Sequence, residues 1–270
     1  MLPLRTRLLS AAVLLWGAGC MAPEADGGAE GTDPDPPTEA REMFQPEMVD
    51  DLPEPARRFL LRAIAPGTPL ATSVELTMHG ELRLDPDRDP VPFVAEQTLA
   101  PPEAFLWEAR TRAGLVRIRG FDRYEAGEGE MRWKLWGLIP VVRAKGTDVT
   151  RSAARRLAME AVLVPSVLVP GGGVTWEEVD ENRALFRMTV GEEPVETMLE
   201  VDPEGRPVRA SAMRWSERAG PGYEPFVVEL SGELTADGYT IPAQVSAGWS
   251  LGRENAFRFF EATLDGAIFR

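Results

Sequence analysis

The chain contains 270 residues, of which 44% are hydrophobic and 27% are charged, and its formal net charge is −14. This composition is ordinary for a globular protein and excludes a wholly disordered chain or a collagen. The acidic balance argues against nucleic-acid binding, which needs a basic face. A single cysteine and a single histidine exclude an internal disulfide and sites built from several of either residue. No run approaches the roughly 20 apolar residues of a spanning helix, which excludes a polytopic membrane protein.

Residues 1–19 have the features of a secretory signal peptide: two arginines, an apolar run over residues 8–16 and three small residues before Cys20. Small residues directly before the one cysteine of the chain resemble the signal of bacterial lipoproteins, in which that cysteine is lipidated. The resemblance implies that Cys20 is a lipid anchor on the periplasmic side of the cell envelope, and Met21 after it favours the outer membrane. The alternative is ordinary secretion with cleavage near Ala22.

Residues 20–51 are predicted to be a lipidated cysteine followed by a disordered acidic tether. The segment 21–52 holds ten acidic residues, five prolines and one base. It therefore cannot bury enough apolar surface to offset the entropy cost of becoming ordered. Proline and like charges extend such a segment, so it serves as a spacer. The folded body over residues 52–270 is long enough for one core.

The body begins with a helix and continues as strands. Pro53 precedes apolar residues at helical spacing up to Ile64, which predicts a short amphipathic helix. From Val74 onward the apolar period is two, and the runs end at turn residues such as Asp237-Gly238. About 11–12 half-buried strands joined by short turns predict an antiparallel sheet with one apolar face. So many strands in one sheet must curl.

One helical segment interrupts the strands. Thr147 and Asp148 mark its start, and the 13 residues from 157 to 169 are apolar except for two. Pro165 breaks this stretch, which is too short to cross a bilayer and is predicted to lie against the sheet. The predicted fold is mainly β (α+β): a curled antiparallel half-barrel of about 11–12 strands. An N-terminal helix and this apolar segment lie on its concave face.

Three segments of the body resemble an uncharacterised family of bacterial proteins of unknown function. They are the helix start LPEPARRFL (52–60), GEGEM (127–131) with GLIPV (137–141), and Pro170-Gly171 followed by VTWEEVD (174–180). The resemblance covers nearly the whole body and implies no known activity. The architecture is also similar to that of periplasmic lipoprotein carriers, which are curled half-barrels with helices over an apolar concave face. Fold alone does not settle function.

The sequence contains no pattern typical of a catalytic or cofactor site. It lacks Gly-x-Ser-x-Gly, His-Glu-x-x-His, a P-loop and a dinucleotide-binding glycine pattern. His79 falls on the polar side of a strand, which indicates a solvated residue. Acidic residues between 85 and 96 fit part of a calcium-loop count, but Pro90 stands where that loop needs glycine. We therefore expect no enzyme activity, no cofactor and no metal.

Two features favour a ligand site on the body. Arginines and aromatic residues cluster on strands three to five and can seat an anionic head group; alternatively these arginines pair with neighbouring acids on the wet face. Glu160, alone in the apolar helix, is a site candidate if it faces the cavity. It is solvated if it faces outward, which is the more ordinary case. The candidate ligand-binding residues are Trp107, Trp133, Trp136, Leu157, Met159, Glu160, Leu163, Arg119, Arg123 and Tyr124.

These observations favour a non-enzymatic, membrane-anchored lipoprotein of the bacterial envelope. Its ligand is predicted to be apolar, an acyl lipid or a lipidated polypeptide, held in the concave face. The alternative is an envelope interaction or sensor module with a sealed core that binds another protein, since aromatic stripes on strands are often packing. Nucleic acid is not expected as a partner.

Overall fold

The computed structural model describes residues 41–113, 116–218 and 220–270. The predicted signal peptide (1–19), Cys20 and the tether as far as residue 40 lie outside the described residues. Within the described ranges, no helix has both the length and the apolar character needed to cross a membrane.

Helices are few in the described chain. The α-helices are α1 (Glu54–Ala63) and α2 (Thr147–Glu160), and the 3-10 turns are Pro46–Val49, Ala161–Leu163 and Pro165–Leu168. α1 follows Pro53 and carries Pro55 in its first turn, where a missing amide N–H costs no hydrogen bond. Its buried residues recur at the spacing of one helix face: Ala56, Phe59, Leu60 and Ala63.

Strands make up most of the structure. They are β1 (Val74–Leu82), β2 (Val91–Ala100), β3 (Ala104–Ala113), β4 (Val116–Glu125), β5 (Glu128–Leu135), β6 (Ile139–Lys145), β7 (Thr175–Asp180), β8 (Arg183–Val190), β9 (Glu193–Val201), β10 (Pro207–Ser216), β11 (Gly222–Ser231), β12 (Leu234–Ala236), β13 (Tyr239–Ile241), β14 (Gln244–Trp249) and β15 (Phe257–Phe269).

Thirteen of these strands form one sheet in the order β6-β5-β4-β3-β2-β1-β15-β14-β11-β10-β9-β8-β7, and β12 pairs with β13 in a separate hairpin. Every pairing between named strands is antiparallel. The end strands β6 and β7 do not pair with each other, so the sheet is open. The predicted fold class, a mainly β protein built on a large curled antiparallel sheet, is confirmed with more strands than expected.

One face of the sheet forms the core. In β2, Phe93, Ala95, Gln97 and Leu99 are buried and alternate with exposed residues. α2 contacts β4–β6 on one limb of the sheet and β8–β10 on the other, so the sheet curls around it. The limbs also meet at Tyr124, whose hydroxyl would lie 2.3 Å from a Cβ at Gly191. Only glycine fits that turn.

The central helical segment differs from the prediction in its internal structure. α2 begins at Thr147, as predicted, but ends at Glu160. The apolar stretch over residues 157–169 is therefore the last turn of α2 followed by two 3-10 turns. Pro165 begins the second of these turns because its fixed φ suits the first position of a helix. The stretch is buried over most of its length, on the concave face.

The folded body begins before residue 52, which corrects the predicted end of the tether. Phe44 and Val49 are fully buried and belong to the main core cluster. The Phe44 backbone N–H donates to Thr68 O (2.8 Å), and Gly67 N–H donates to Phe44 O (2.8 Å). Two apolar side chains among acids and prolines do not alter the composition of the segment, so composition alone missed them.

Phe44→Ala is expected to lower the free energy of unfolding by about 3–5 kcal/mol, because it removes a fully buried ring and leaves a cavity. Met43→Ala is the matched control: Met43 is 42% exposed, and its replacement should change stability by less than about 0.5 kcal/mol. Urea unfolding followed by tryptophan fluorescence measures both values. Equal, small effects would show that residues 41–50 do not belong to the cooperative fold.

Candidate functional site

Strands β9 and β10 are paired over only part of their length. Their ladder runs from Pro207 opposite Val201 to Ser211 opposite Met198 and stops there. Beyond that point β9 stays paired with β8, and β10 stays paired with β11. The two strands therefore separate and leave a gap in the sheet. Pro194, in the separated part of β9, has no N–H to donate to a ladder.

Side chains of α2 bond to both strand backbones in this gap. Arg155 Nη1 donates to Met213 O (3.0 Å) on β10, and Arg155 Nη2 donates to Pro194 O (3.4 Å) on β9. Ser152 Oγ donates to Trp215 O (3.1 Å). These α2 side chains therefore supply donors to backbone carbonyls on both sides of the gap.

Arginine side chains fix α2 further to β9, β10 and the neighbouring strand β11. Arg151 Nε donates to Glu193 Oε1 (3.0 Å), and its guanidinium carbon lies 4.8 Å from the centroid of the Trp215 ring. The guanidinium carbon of Arg155 lies 4.5 Å from the centroid of Tyr223. Stacking uses the face of a guanidinium and leaves its in-plane N–H groups free to donate. Each arginine therefore holds a ring and an acceptor together.

The gap opens a cleft of about 500 Å³, inside the range of roughly 300–1,000 Å³ typical of small-molecule sites. Most of its lining is apolar: Leu185, Met198, Ala212, Met213, Pro225 and Phe226. Arg155, Arg253 and Glu196 also line it. Methionine side chains adapt to the shape of a ligand. Another cleft, of about 480 Å³, lies over β1, β11, β14 and β15 and is lined mainly by polar residues.

Four ionisable side chains lie between α2 and the sheet next to this cleft, and we call them the ionic cluster: Asp122, Arg156, Glu160 and Arg214. Arg156 Nε lies 2.7 Å from Glu160 Oε1, and Arg156 Nη1 lies 3.4 Å from Asp122 Oδ2. Gln97 Nε2 donates to Glu160 Oε2 (2.7 Å). Trp133 Nε1 donates to Asp122 Oδ1 (3.0 Å). Both carboxylates thus have a cation and a neutral donor.

Arg214 joins the ionic cluster to the cleft. Its Nε donates to Ser152 O (3.1 Å) and Oγ (3.2 Å), and its guanidinium carbon lies 4.7 Å from the centroid of the cleft residue Phe226. Burial and the nearby Arg156 lower the pKa of Arg214 to about 10, so it remains charged at neutral pH. Burial also raises the pKa of Asp122, against the opposing effect of Arg156. Two cations and two carboxylates therefore share a poorly solvated space.

Four of the predicted ligand residues meet at or beside the ionic cluster. Glu160 belongs to the cluster, so the expectation that it faces outward is wrong; it follows Arg156 by one helical turn and shares its inner face. Trp133 bonds to the cluster, and its ring centroid lies 5.6 Å from that of Trp107. Met159 packs with Phe226. None of these four lines the cleft itself.

The other predicted ligand residues lie elsewhere. Three are buried in the core: Tyr124, Leu157 and Leu163. Three lie on β4 or in the turn after β5: Arg119, Arg123 and Trp136. Arg123 Nη2 lies 2.8 Å from Glu130 Oε2, which confirms for this residue the alternative of pairing with a neighbouring acid. Burial raises the pKa of the Tyr124 hydroxyl.

The cleft residues were missed by the sequence interpretation, although two signals pointed to them. Alternation in β10 places Arg214 on the same inner face as Ala210 and Ala212, and a charge in an inner position is unusual. Pro194 and Pro225 fall inside strand runs, which marks places where a ladder is interrupted. Neither signal identifies which neighbouring strand is absent.

A family model, described as a family of unknown function (DUF6544), matches residues 42–262. The chain belongs to this family. The predicted resemblance to an uncharacterised family is thereby confirmed. A search of curated proteins gave no match.

Two solved structures illustrate the fold similarity. A LolA superfamily protein from Nitrosomonas europaea has a TM-score of 0.45 and 9% identity, with 80% of this chain and 92% of that chain covered. A DUF1329 family protein from Desulfovibrio piger has a TM-score of 0.40 and 11% identity, with 74% and 86% covered. The chain is therefore similar in architecture to a LolA superfamily protein, as expected, and at these TM-scores the similarity carries no argument about function.

His79 and the acidic residues between β1 and β2 have surroundings typical of solvated side chains. His79 is exposed on β1, and its Nδ1 lies 2.9 Å from Asp265 Oδ1, as predicted for a solvated strand residue. Within residues 41–113, 116–218 and 220–270, no three His, Cys, Asp or Glu side chains come together as metal ligands would. The acidic tip between β1 and β2 is closed by bonds within the turn, such as Asp87 N–H to Asp85 Oδ1 (2.9 Å).

The raised pKa of Asp122 predicts a pH dependence of stability. Above pH 3.8, the ordinary pKa of this carboxyl group, Asp122 has lost its proton in the unfolded chain but still binds it in the folded chain. The free energy of unfolding therefore falls as the pH rises toward the pKa of Asp122 in the folded chain. Asp122→Asn removes that contribution. The stability of wild type minus that of the variant should therefore decrease as pH rises from 4 toward 7, as measured by urea unfolding.

Asp202→Asn is the matched control with the opposite sign. Burial tends to raise the pKa of Asp202, but hydrogen bonds from Arg206 outweigh it and the pKa is lowered. The stabilisation by Asp202 is lost as pH falls below 3.8, so wild type minus this variant should increase with pH between 3 and 5. If the stability of wild type minus that of Asp122→Asn also increases with pH, burial does not determine the direction of the pKa shift of Asp122.

Proposed function

We propose that this chain is a non-enzymatic ligand-binding protein of the bacterial envelope that holds an amphipathic anion in the cleft between β9 and β10. The apolar chain of the ligand lies along the cleft, and its anionic head lies at the rim. Lipidation of Cys20 holds the protein on the periplasmic side of a membrane. The observation that carries the proposal is an apolar cleft of about 500 Å³ at a gap in the sheet.

The cleft lining suits a flexible hydrocarbon chain. Met198 and Met213 come from the two separated strands, and Phe226 forms part of the inner end. Removing a CH₂ group from water contributes about 0.8 kcal/mol, so an apolar groove favours a long chain over a compact polar molecule. The concave face, where a ligand was expected from the sequence, is filled by the chain's own residues such as Leu157 and Leu168.

The charges at the cleft favour an anionic head group. Arg253 is exposed at the rim, and in the described part of the chain it has no acidic side chain within ion-pair distance. The carboxylate of Glu196 is balanced by Arg187, whose Nε lies 2.8 Å from Glu196 Oε1. Arg155 Nη2 lies 3.5 Å from Glu193 Oε2, so the charge of Arg155 is already paired. Arg253 therefore places a positive charge at the rim of the cleft in a chain of net charge −14, which favours an anion there.

Oleate binding to the chain from residue 20 onward, with Cys20→Ser to prevent acylation, tests the proposal by isothermal titration calorimetry. Met213→Asp should weaken oleate binding by about tenfold or more, since it places a charge where apolar contact stabilises the chain. Met43→Asp is the control, because Met43 and Met213 are 42% and 46% exposed. Only the Met213 change should affect affinity.

The head group is tested by comparing oleate with oleyl alcohol. Arg253→Glu should weaken oleate binding by about tenfold and leave the affinity for oleyl alcohol unchanged. The control Arg88→Glu, on the distant β1–β2 turn, should alter the affinity for neither ligand. Absence of oleate binding, together with no acyl lipid in an organic extract of protein purified without detergent, would contradict the proposal. That result would favour the alternative of a sealed module with a protein partner.

A further inference from the structure

The β5–β6 hairpin at one end of the sheet exposes apolar side chains. β6 is an edge strand, and the turn before it consists of residues 136–138. The exposed large apolar residues here are Trp136, Leu138, Ile139, Val141 and Val142. Leu138 is 81% exposed, the highest value among exposed large apolar residues of the described chain. Several exposed apolar side chains on one hairpin mark an interaction surface.

The same end of the sheet is basic. Residues 131–147 contain four basic residues and no acidic one. On the outer face, Arg119 lies opposite Lys134, and Arg132 lies opposite Arg143. Like charges in directly opposite positions destabilise a sheet, so the fold gains nothing from this arrangement.

Some of these cations are compensated and others are not. Glu130 is almost fully buried beneath Arg123, Arg132 and Lys145, with nitrogen–oxygen distances of 2.8, 2.7 and 3.4 Å. Four other cations form no ion pair among the residues that the structure describes: Arg117, Arg119, Lys134 and Arg143. The uncompensated charges therefore lie toward the hairpin turn, next to the apolar patch.

The turn holds its tryptophan in a strained conformation. Trp136 and Gly137 both have positive φ, 49° and 74°, and Leu138 N–H donates to Leu135 O (3.1 Å), as in the tight turns that favour Asn-Gly. A bulky residue at positive φ is costly. A Cβ at Gly137 would lie 2.5 Å from Arg119 Nε, so the guanidinium packs directly on the turn. Retained strain of this kind is typical of functional positions.

We propose that the β5–β6 hairpin and the adjoining outer face of β4–β6 dock on an anionic lipid bilayer. Trp136, Leu138 and Ile139 enter the interface between head groups and acyl chains, where an indole is favoured. Arg119 and Lys134 contact lipid phosphates, each basic residue adding to the attraction of an anionic surface. Insertion is shallow, because the edge of β6 has backbone groups that need water.

The edge itself argues against a strand-adding protein partner. Pro140 lies on β6 and lacks an N–H, and a bulge interrupts the β5–β6 register at Trp133 and Lys134. Both features blunt the edge against pairing with another strand. The docking surface is separate from the cleft between β9 and β10, so this inference goes beyond the proposed function and does not depend on it.

Sedimentation with lipid vesicles tests the inference, using the chain from residue 20 onward with Cys20→Ser. Binding is expected to vesicles of 70% phosphatidylcholine and 30% phosphatidylglycerol, and much less to phosphatidylcholine alone. Leu138→Glu should lower the partition coefficient by about tenfold. Leu84→Glu is the control, since Leu84 is 68% exposed on the β1–β2 turn, and it should have no effect.

The charge contribution is tested by Arg119→Glu combined with Lys134→Glu. Loss of each basic residue costs roughly fivefold and each new carboxylate adds repulsion, so binding should fall by at least about 25-fold. Arg88→Glu should leave binding unchanged. Equal binding to both vesicle types, or no binding to either, would overturn the inference. Vesicle binding that appears only after deletion of the acidic residues 21–40 would also overturn the inference. In that case the acidic segment, and not a bilayer, would occupy this surface in the longer chain. Unchanged oleate affinity in Leu138→Glu keeps this test distinct from the cleft test.

Discussion

The arrangement of the molecule depends on the insertion of α2 between the limbs of the curled sheet. On one limb, the helix backbone approaches β5 so closely that a Cβ at Gly129 would lie 2.7 Å from Thr150 Cα. On the other limb, Arg155 and Ser152 donate to the carbonyls of β9 and β10. The helix therefore ties the limbs together and at the same time prevents β9 and β10 from completing their ladder.

The ionic cluster and the cleft are both consequences of that insertion. A helix that bonds to strand backbones must carry polar side chains into an otherwise apolar interior, and Arg156 and Glu160 pair there with Asp122. Buried ion pairs add little to stability, but they fix the rotation of α2 about its axis. With α2 in this position, β9 and β10 remain unpaired beyond Ser211, and apolar side chains such as Met213 are left exposed.

Patterns with a fixed period were sufficient to predict α1 and the alternation of the strands, and the residue types at Thr147 and Asp148 were sufficient to predict the start of α2. The outcome was different where structure depends on contacts distant in sequence. Glu160 reads as an isolated charge because Gln97, which donates to it, and Asp122, which shares its partner Arg156, lie on strands distant in sequence. The cleft was missed for the same reason: interruption of a ladder depends on both strands and on the helix beneath them. Phe44 was missed because a single buried ring leaves no period.

We propose the gap between β9 and β10 as the ligand site. Amide hydrogen exchange, measured by mass spectrometry with and without oleate, tests it most directly, because backbone groups in the separated segments lack ladder partners on the cleft side and exchange readily. Oleate should slow exchange over residues 193–197 and 212–216 and leave exchange in β1 and β2 unchanged. Slower exchange confined to β1, β2 or α1, with no change at the gap, would contradict the account.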